Sequence, residues 1–400
     1  MTSCFVIAGE VSGDTHGAEL LGALRTLRAP GDLEIRGLGG PRMRLQAPGV
    51  TDWLEDSAVL GLWEVLRKYG YFQAQMTRTL AVIAESSPDV VILIDYPGFN
   101  LRLAKALRQR GYQGRIAYYI SPQVWAWKRG RIKEMARTLD LMMCIFPFEK
   151  DLYEASGLRT EFVGHPLVDE LAAERIDAER DPQLVGLLPG SRRREIEALF
   201  PVMVEAATLL RARLPHLRFV TAAVNEKLAG RLGELARNGG APEIAVSSGD
   251  VHRLMQTCGC AVIASGTATL EAAFFGLPHC LTYKVSWLTA AVARVVMQVK
   301  YLGIVNNLAG REVVEELLQE RATGPALAAA LEALLTSPVK RTQLALELRE
   351  VASSLGSGGA HDNAARAIAR LLDSPQRSRP DLPDAPREME KGARRGATSP

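Results

Sequence analysis

The sequence predicts an α/β protein made of two doubly wound parallel sheets in series, and three observations carry that reading. Short, continuous apolar runs alternate with segments of helical period, as expected of strands covered on both faces by helices. Two such sets are separated by a polar stretch, Asp177 to Pro182. At several strand ends a loop rich in Gly, Ser or Thr leads into a helix, the place where open parallel sheets bind ligands.

The first set of strands is expected at Cys4 to Ala8, Val90 to Ile94, Ile116 to Ile120 and Leu141 to Ile145. Between them Leu20, Leu21, Leu24 and Leu27 share one helical face, as do Leu101, Ala104 and Leu107 after Asn100. The second set is expected at Leu184 to Leu188, Leu217 to Thr221, Ala261 to Ala264 and His279 to Tyr283. Gly356 to Gly359 interrupts the helical pattern, and His361 to Leu372 reads as a terminal helix that returns to the first domain. The expected units are therefore residues 1–170, residues 171–345 and C-terminal helices over 346–373. Residues 374–400 hold five prolines and ten charged residues with almost nothing apolar, the composition of a disordered tail.

Composition narrows the function. Hydrophobic residues make up 47% and charged residues 23% of 400, which is ordinary for a globular enzyme and excludes collagen-like or wholly disordered chains. A net charge of +3 is too small for wholesale wrapping of nucleic acid. The five cysteines form no CxxC pair and no finger spacing, which fits reduced thiols better than disulfides or zinc. No basic residue precedes Arg25, and Glu10 and Asp14 interrupt the first apolar stretch, so no secretory signal is expected. No run offers the roughly 20 apolar residues that spanning a bilayer needs. The expected location is cytoplasmic, with any membrane contact peripheral.

Four loops bear chemistry. Gly9, Ser12 and Gly13 lie in Gly9-Glu-Val-Ser-Gly-Asp-Thr-His-Gly17, where glycine lets backbone amides approach a ligand and the next helix offers its positive end. A plain turn with Ser12 or Asp14 as helix cap explains this loop equally well, and neither GxGxxG nor GxxxxGK[ST] occurs. Asp95-Tyr-Pro-Gly-Phe-Asn100 places a carboxylate at a strand end, suited to deprotonating a hydroxyl, although a turn capped by Asn100 accounts for its spacing. In Leu188-Pro-Gly-Ser-Arg-Arg-Arg-Glu195, Gly190, Ser191 and Arg192 at a helix start combine free amides, helix dipole and guanidinium for an anion. Ser265-Gly-Thr-Ala-Thr-Leu-Glu271 is a second such turn, with Glu271 one turn into the helix as a partner for a ribose diol or simply a solvated charge.

Charge is also local. Between Asp95 and Glu134 there are nine basic residues and no acid, interleaved with Tyr118, Tyr119, Trp125 and Trp127. Lys284, Trp287, Arg294 and Lys300 lie in a second acid-free stretch. The first makes a positive face; the second suits an anionic membrane surface, with a buried helix with snorkelling ends as its alternative. Leu60-Gly-Leu-Trp-Glu-Val-Leu66 reads as an apolar edge for interfacial dipping or as an ordinary core helix.

At these residues the chain resembles the lipid-A-disaccharide synthase family of glycosyltransferases. The motifs are AGEVSGDTHG from Ala8, GLGGPRM from Gly37, SPQVWAWKRGR from Ser121, FPFEKDLYEASG from Phe146, FVGHPLVD from Phe162, LLPGSRRREI from Leu187, ASGTATLEAA from Ala264 and NNLAGREVVEELLQE from Asn306. The resemblance implies a GT-B type fold with an acceptor-binding, membrane-facing first domain and a nucleotide-binding second domain. It implies transfer from UDP-2,3-diacylglucosamine to 2,3-diacylglucosamine 1-phosphate (lipid X), with inversion, giving a β-1,6-linked disaccharide 1-phosphate and UDP. Gly190, Ser191 and Arg192 would then hold the diphosphate and Glu271 the ribose. Ser265 and Thr267 would add helix-start contacts, and Asn306 and Gln319 would complete the nucleotide pocket. Asp95 is the first choice for the base, with Glu10, Asp14 and His16 as alternatives from the opposing loop. Gly98 stands where some members of the family carry a second carboxylate. No metal or cofactor is expected, since helix dipole and arginine offset the leaving charge. The expected partners are the two lipid substrates and the anionic cytoplasmic face of the inner membrane, not nucleic acid, and a homodimer is left open.

Two other classes share part of this pattern. A UDP-sugar 2-epimerase would need a similar nucleotide site but no second sugar site or acyl-chain surface, and the basic, aromatic segment Ser121 to Arg131 speaks against it. A non-catalytic sugar-nucleotide or membrane adaptor would not need acids in both cleft loops.

Overall fold

The computed structural model describes residues 1–29, 31–57, 69–241, 243–286 and 297–375. In the first sheet, β1 (Thr2–Ala8), β2 (Leu33–Gly39), β3 (Gly49–Asp52), β4 (Val90–Ile94), β5 (Arg115–Tyr119), β6 (Leu141–Cys144) and β7 (Thr160–Phe162) run in the order β3-β2-β1-β4-β5-β6-β7, all parallel. The second contains β8 (Asp181–Leu188), β9 (Arg218–Ala223), β10 (Ala245–Ser248), β11 (Cys258–Ala264), β12 (His279–Tyr283) and β13 (Glu316–Leu318), ordered β10-β9-β8-β11-β12-β13 and again all parallel. The fold class read from the sequence is the fold observed.

Continuous apolar strands follow from burial on both faces. In β4, Val90, Ile92 and Ile94 join a core with Leu20 and Leu21 of the helix Val11–Thr26 and with Ala364 and Ile368 of the helix Ala360–Asp373. Val91 and Leu93 point the other way, to Ile83 of the helix Tyr69–Ser86 and Leu103 of the helix Pro97–Gln109. In β8, Val185 and Leu187 meet Phe200 and Met203 of the helix Arg193–Arg213 and Leu327 and Leu331 of the helix Gly324–Leu335. Strands β2, β3, β7, β10 and β13 were not anticipated. They are edge strands or, in β2, a run broken by charge and glycine, so their sequences lack a continuous apolar signature. Strand β8 begins inside the polar stretch expected to separate the domains.

The order of strands reverses between β1 and β4 and again between β8 and β11. Successive connections there leave on opposite faces, and a crevice opens at the carboxyl ends of the two strands. Ala8 pairs with Ile94, so the chain leaves β1 at Gly9 beside the point where it leaves β4 at Asp95. Leu188 pairs with Ile263, which puts Gly190 beside Ser265 in the same way.

After the second sheet the chain returns to the first domain. The helix Pro338–Ser353 packs on the helix Thr267–Phe275, and Ala360–Asp373 then lies against Val11–Thr26. The backbone N–H of Gly359 donates to Asp169 at 2.9 Å, Asn363 donates to the Val163 carbonyl at 2.9 Å, and Arg370 pairs with Glu161. Residues 60–66, Trp287, Arg294 and nearly all of the expected tail lie outside the described residues. Among the described residues no helix is long and apolar enough to cross a membrane, and the five cysteines are free and buried.

Arg108 anchors the helix that follows β4. Its guanidinium meets Asp140 at 2.6 Å and donates to the carbonyls of Thr138, Tyr112 and Gly114, and both charged side chains are 5% exposed. Removing one partner of a buried pair leaves the other charge uncompensated. Arg108→Met is expected to lower the unfolding free energy by about 3–5 kcal/mol in urea titration; a loss below about 1 kcal/mol would show that solvent takes over the pairing.

Candidate active site

The β4 loop is the most constrained of the four. Asp95 and Tyr96 both lie in the left-handed region, with φ of 43° and 49°, a conformation that costs non-glycine residues free energy. Three bonds hold it. Asn100 donates through Nδ2 to the carbonyls of Ile94 (3.2 Å) and Asp95 (2.7 Å), and the Tyr118 hydroxyl donates to the Asp95 carbonyl. Asn100 thus serves as a brace for the strained turn. The Tyr96 ring lies over Gly9, where a Cβ would approach it within 2.2 Å, so glycine is what lets the two loops meet. Burial first, and then the charge of nearby Glu10, raise the Asp95 carboxyl to about 6.

Of the first-loop candidates, Glu10 is exposed at the start of its helix, followed by exposed Val11 and Ser12, while Gly13 is buried against Ala8. Asp14 is differently employed. It is buried, and its oxygens accept from the backbone N–H groups of Gly40 (2.8 Å), Arg42 (3.0 Å) and Met43 (3.0 Å), capping the helix Pro41–Gln46. That joins the AGEVSGDTHG and GLGGPRM motifs and makes Asp14 a scaffold residue. His16 faces His361 of the returning helix, ring centroids 5.6 Å apart, and burial together with that neighbour lowers it to about 4. It is a neutral packing group between two helices.

A residue missed in the sequence supports the next loop. Glu149 is fully buried and accepts from Ser121 Oγ (2.5 Å), Trp125 Nε1 (2.8 Å) and the Phe146 N–H (3.2 Å). Burial raises its carboxyl to about 7 despite these bonds. It fixes the SPQVWAW segment, which starts after Ile120, a β-branched residue at φ 62°. Glu149 reaches back to the Phe146 N–H, but phenylalanine carries no acceptor that would mark a cap in the sequence, and the long-range partners of Glu149 were equally hidden. Beyond this segment Trp127 is 46% exposed with the Lys128 ammonium 3.9 Å from its ring centroid. A groove of about 170 Å³, lined by Gly98, Arg102, Lys105, Arg131 and Glu134, runs from the β4 loop between two helices. A side chain at Gly98 would enter open space there. A larger cavity of about 880 Å³, lined by Met1, Arg28, Asp89, Arg115 and Ser374, opens at the opposite ends of these strands, away from the reversal point.

In the second domain Gly190 adopts φ 101° and leads through exposed Ser191 and Arg192 into the helix Arg193–Arg213. Glu195 folds back over this helix start, meeting the Arg192 guanidinium at 2.9 Å and its N–H at 3.3 Å. A Cβ at Gly190 would collide with Glu195 Oε2. Across the reversal point, Ser265 and exposed Thr267 flank the next helix start, and Glu271 lies 3.3 Å from His252. Asn306 does not open on this crevice as expected. The Asn306 amide accepts from the Val313 and Val314 N–H groups and donates to the Val314 carbonyl and Glu316. Gln319 meets the backbone of Val285. The Asn306 amide is spent on holding segments together, a partnership that spacing does not reveal. Among the described residues no three His, Cys, Asp or Glu side chains are grouped to hold a metal ion.

Comparison with known proteins agrees with this arrangement. The family model for lipid-A-disaccharide synthetase matches residues 4–368. Lipid-A-disaccharide synthases of Geobacter metallireducens and Myxococcus xanthus are 40% and 38% identical over 380 and 379 residues, each spanning 92% of this chain and 96% and 97% of theirs. Among solved structures, a putative UDP-N-acetylglucosamine 2-epimerase from Listeria monocytogenes superposes with a TM-score of 0.61 at 14% identity, covering 95% of this chain and 99% of the other. The S. aureus MnaA–UDP structure gives 0.60 at 14% identity, covering 96% and 100%. The two parallel domains, each with one reversal of strand order, define a fold of GT-B type. The chain belongs to the lipid-A-disaccharide synthase family and is a hexosyltransferase of lipid A assembly.

Asp14→Ala leaves three backbone amides at a helix start without their acceptor. The expected loss is about 2–4 kcal/mol of unfolding free energy, read by chemical denaturation, since each charge-assisted bond contributes about 1.5–3 kcal/mol. Unchanged stability with lost turnover would instead return Asp14 to the chemistry.

Proposed function

We propose that the protein transfers 2,3-diacylglucosamine from UDP-2,3-diacylglucosamine to the 6-hydroxyl of lipid X, working peripherally at the cytoplasmic face of the inner membrane. One observation carries the reading: an ionisable, tuned carboxylate at the reversal point of one domain, and an open, arginine-bearing helix start at that of the other, in a chain of this family. Asp95 takes the proton of the acceptor hydroxyl, with Glu10 as the neighbouring alternative. The freed oxygen attacks the anomeric carbon from the face opposite the leaving group, and the bond to UDP breaks with its electron pair on the diphosphate. Arg192 and the amides around Gly190 and Ser191 receive that charge, and Glu271 holds the ribose. No metal or cofactor enters this scheme. Exposed Trp127 with Lys128, Arg129, Arg131 and Lys133 supports approach to an anionic lipid surface.

Disaccharide formation in detergent micelles tests the proposal, with UDP release measured with and without acceptor. Transfer requires product only when both substrates are present; UDP release without acceptor and no disaccharide would favour an epimerase-like or hydrolytic activity. Asp95→Ala is expected to lower turnover about 100-fold or more at unchanged UDP affinity. A base must be ionised to act, so wild-type kcat/KM is expected to rise with pH through about 6 and then level, and near-normal turnover in the variant would move the base to Glu10. Arg192→Ala is expected to weaken UDP binding by about tenfold or more in calorimetry with the fold intact; wild-type affinity would remove Arg192 from the diphosphate site.

A further inference from the structure

His252, on the short helix Val251–Thr257, lies between two carboxylates: Nδ1 is 2.8 Å from Glu174 Oε2 and Nε2 is 3.3 Å from Glu271 Oε2. Neutral imidazole carries a single N–H, so one nitrogen would present a lone pair to a carboxylate. Only the imidazolium donates on both sides. The surrounding charges favour it. Glu170 and Glu174 approach from the helix Leu167–Ala173 and its C-terminal cap and Glu271 from the helix Thr267–Phe275, while Arg175 lies over the Phe274 ring and Arg180 donates to the carbonyls of Met255, Cys258 and Phe275. The hydrogen bond with Glu271, partly opposed by burial and aided by Glu174, raises His252 to about 9.

The two carboxylates belong to different parts of the molecule. Glu174 begins the connector between the sheets, and Glu271 lies in the helix that starts at Thr267. One turn after His252, Gln256 accepts from the Ile176 N–H and donates to the Glu174 carbonyl, both at 2.9 Å, so this helix also clasps the connector backbone. Glu271 Oε2 is held by His252, and its Oε1 has no hydrogen bond among the described residues.

We infer that His252 is a positioning residue, an imidazolium that orients Glu271 toward a ribose diol and fastens the nucleotide pocket to the interdomain connector. The inference rests on the ribose-binding role proposed for Glu271. Without the cation, Glu271 would face Glu170 and Glu174 unscreened and turn away, at a cost to diol recognition but not to diphosphate binding.

Calorimetry on the full chain with UDP and 2′-deoxy-UDP isolates the effect, because the affinity ratio cancels diphosphate contacts and ligand ionisation. Wild type is expected to prefer UDP, and Glu271→Gln to lose that preference. His252→Gln is expected to reduce it about tenfold, the value of one charge-assisted hydrogen bond, and His252→Arg to restore most of it. The wild-type ratio should fall as pH rises through about 9, and that of His252→Arg should stay level. A full preference in His252→Gln alongside its loss in Glu271→Gln would overturn the role of His252 alone. A preference that survives Glu271→Gln would overturn the ribose assignment on which it stands.

Discussion

Reversal of strand order is the constraint from which the cleft follows. A parallel sheet must send each connection over one face or the other, and at β1/β4 and β8/β11 adjacent strands send theirs to opposite faces. The chain therefore leaves two neighbouring strand ends without covering either. Both crevices gain helix starts whose N–H groups lack intrahelical partners. In the first domain carboxylates occupy this position, and in the second Arg192 and Glu195 do. The same topology presents carboxylates at one crevice and a guanidinium at the other, and the difference lies in the loop residues.

Buried carboxylates then divide into scaffold and chemistry according to how many donors they meet. Asp14 meets three backbone amides, Glu316 meets two amides and the Asn306 side chain, and Glu149 meets an amide, a hydroxyl and an indole. A carboxylate so saturated has no lone pair directed at a substrate. Asp95 differs: its carbonyl is pinned by Asn100 and Tyr118, while its carboxylate meets the backbone N–H of Tyr96. The backbone is fixed in a strained turn, and burial beside Glu10 raises the acid to about 6. Strain at Asp95 and Tyr96 is sustained because the surrounding bonds over-determine it.

What was legible in the sequence was whatever depends on local pattern. The wholly buried strands β4, β5 and β6 show as continuous apolar runs, and the four ligand loops show as glycine and hydroxyl residues between strand and helix. Edge strands such as β3, with a single buried residue among four, leave no such trace. Long-range partnerships were equally invisible. Asp14 and Asp95 look alike as acids in Gly-containing loops, and only the approach of Gly40 to Met43 marks Asp14 as a cap. Asn306 was misplaced for the same reason, since its four hydrogen bonds go to residues up to ten positions away. His252 stands in no recognisable motif, and its significance depends on two glutamates 78 and 19 residues distant.

The returning C-terminal helix changes what the two domains can do relative to each other. A single connector would let them swing freely, but here the chain crosses twice. The outward crossing is clasped by His252 and Gln256, and Arg180 binds three carbonyls of the second domain. The return crossing is held by the His165 N–H donating to the Leu355 carbonyl and the Gly359 N–H donating to Asp169. Asp169 and Glu174 lie within or just after the same short helix, Leu167–Ala173, so the two crossings are neighbours. Two adjacent crossings resist translation and twist while permitting rotation about the line through them, which is the geometry of a hinge. Because Glu174 is also bound to His252, and His252 to Glu271, a chain of charged contacts runs from the crossings to the helix Thr267–Phe275.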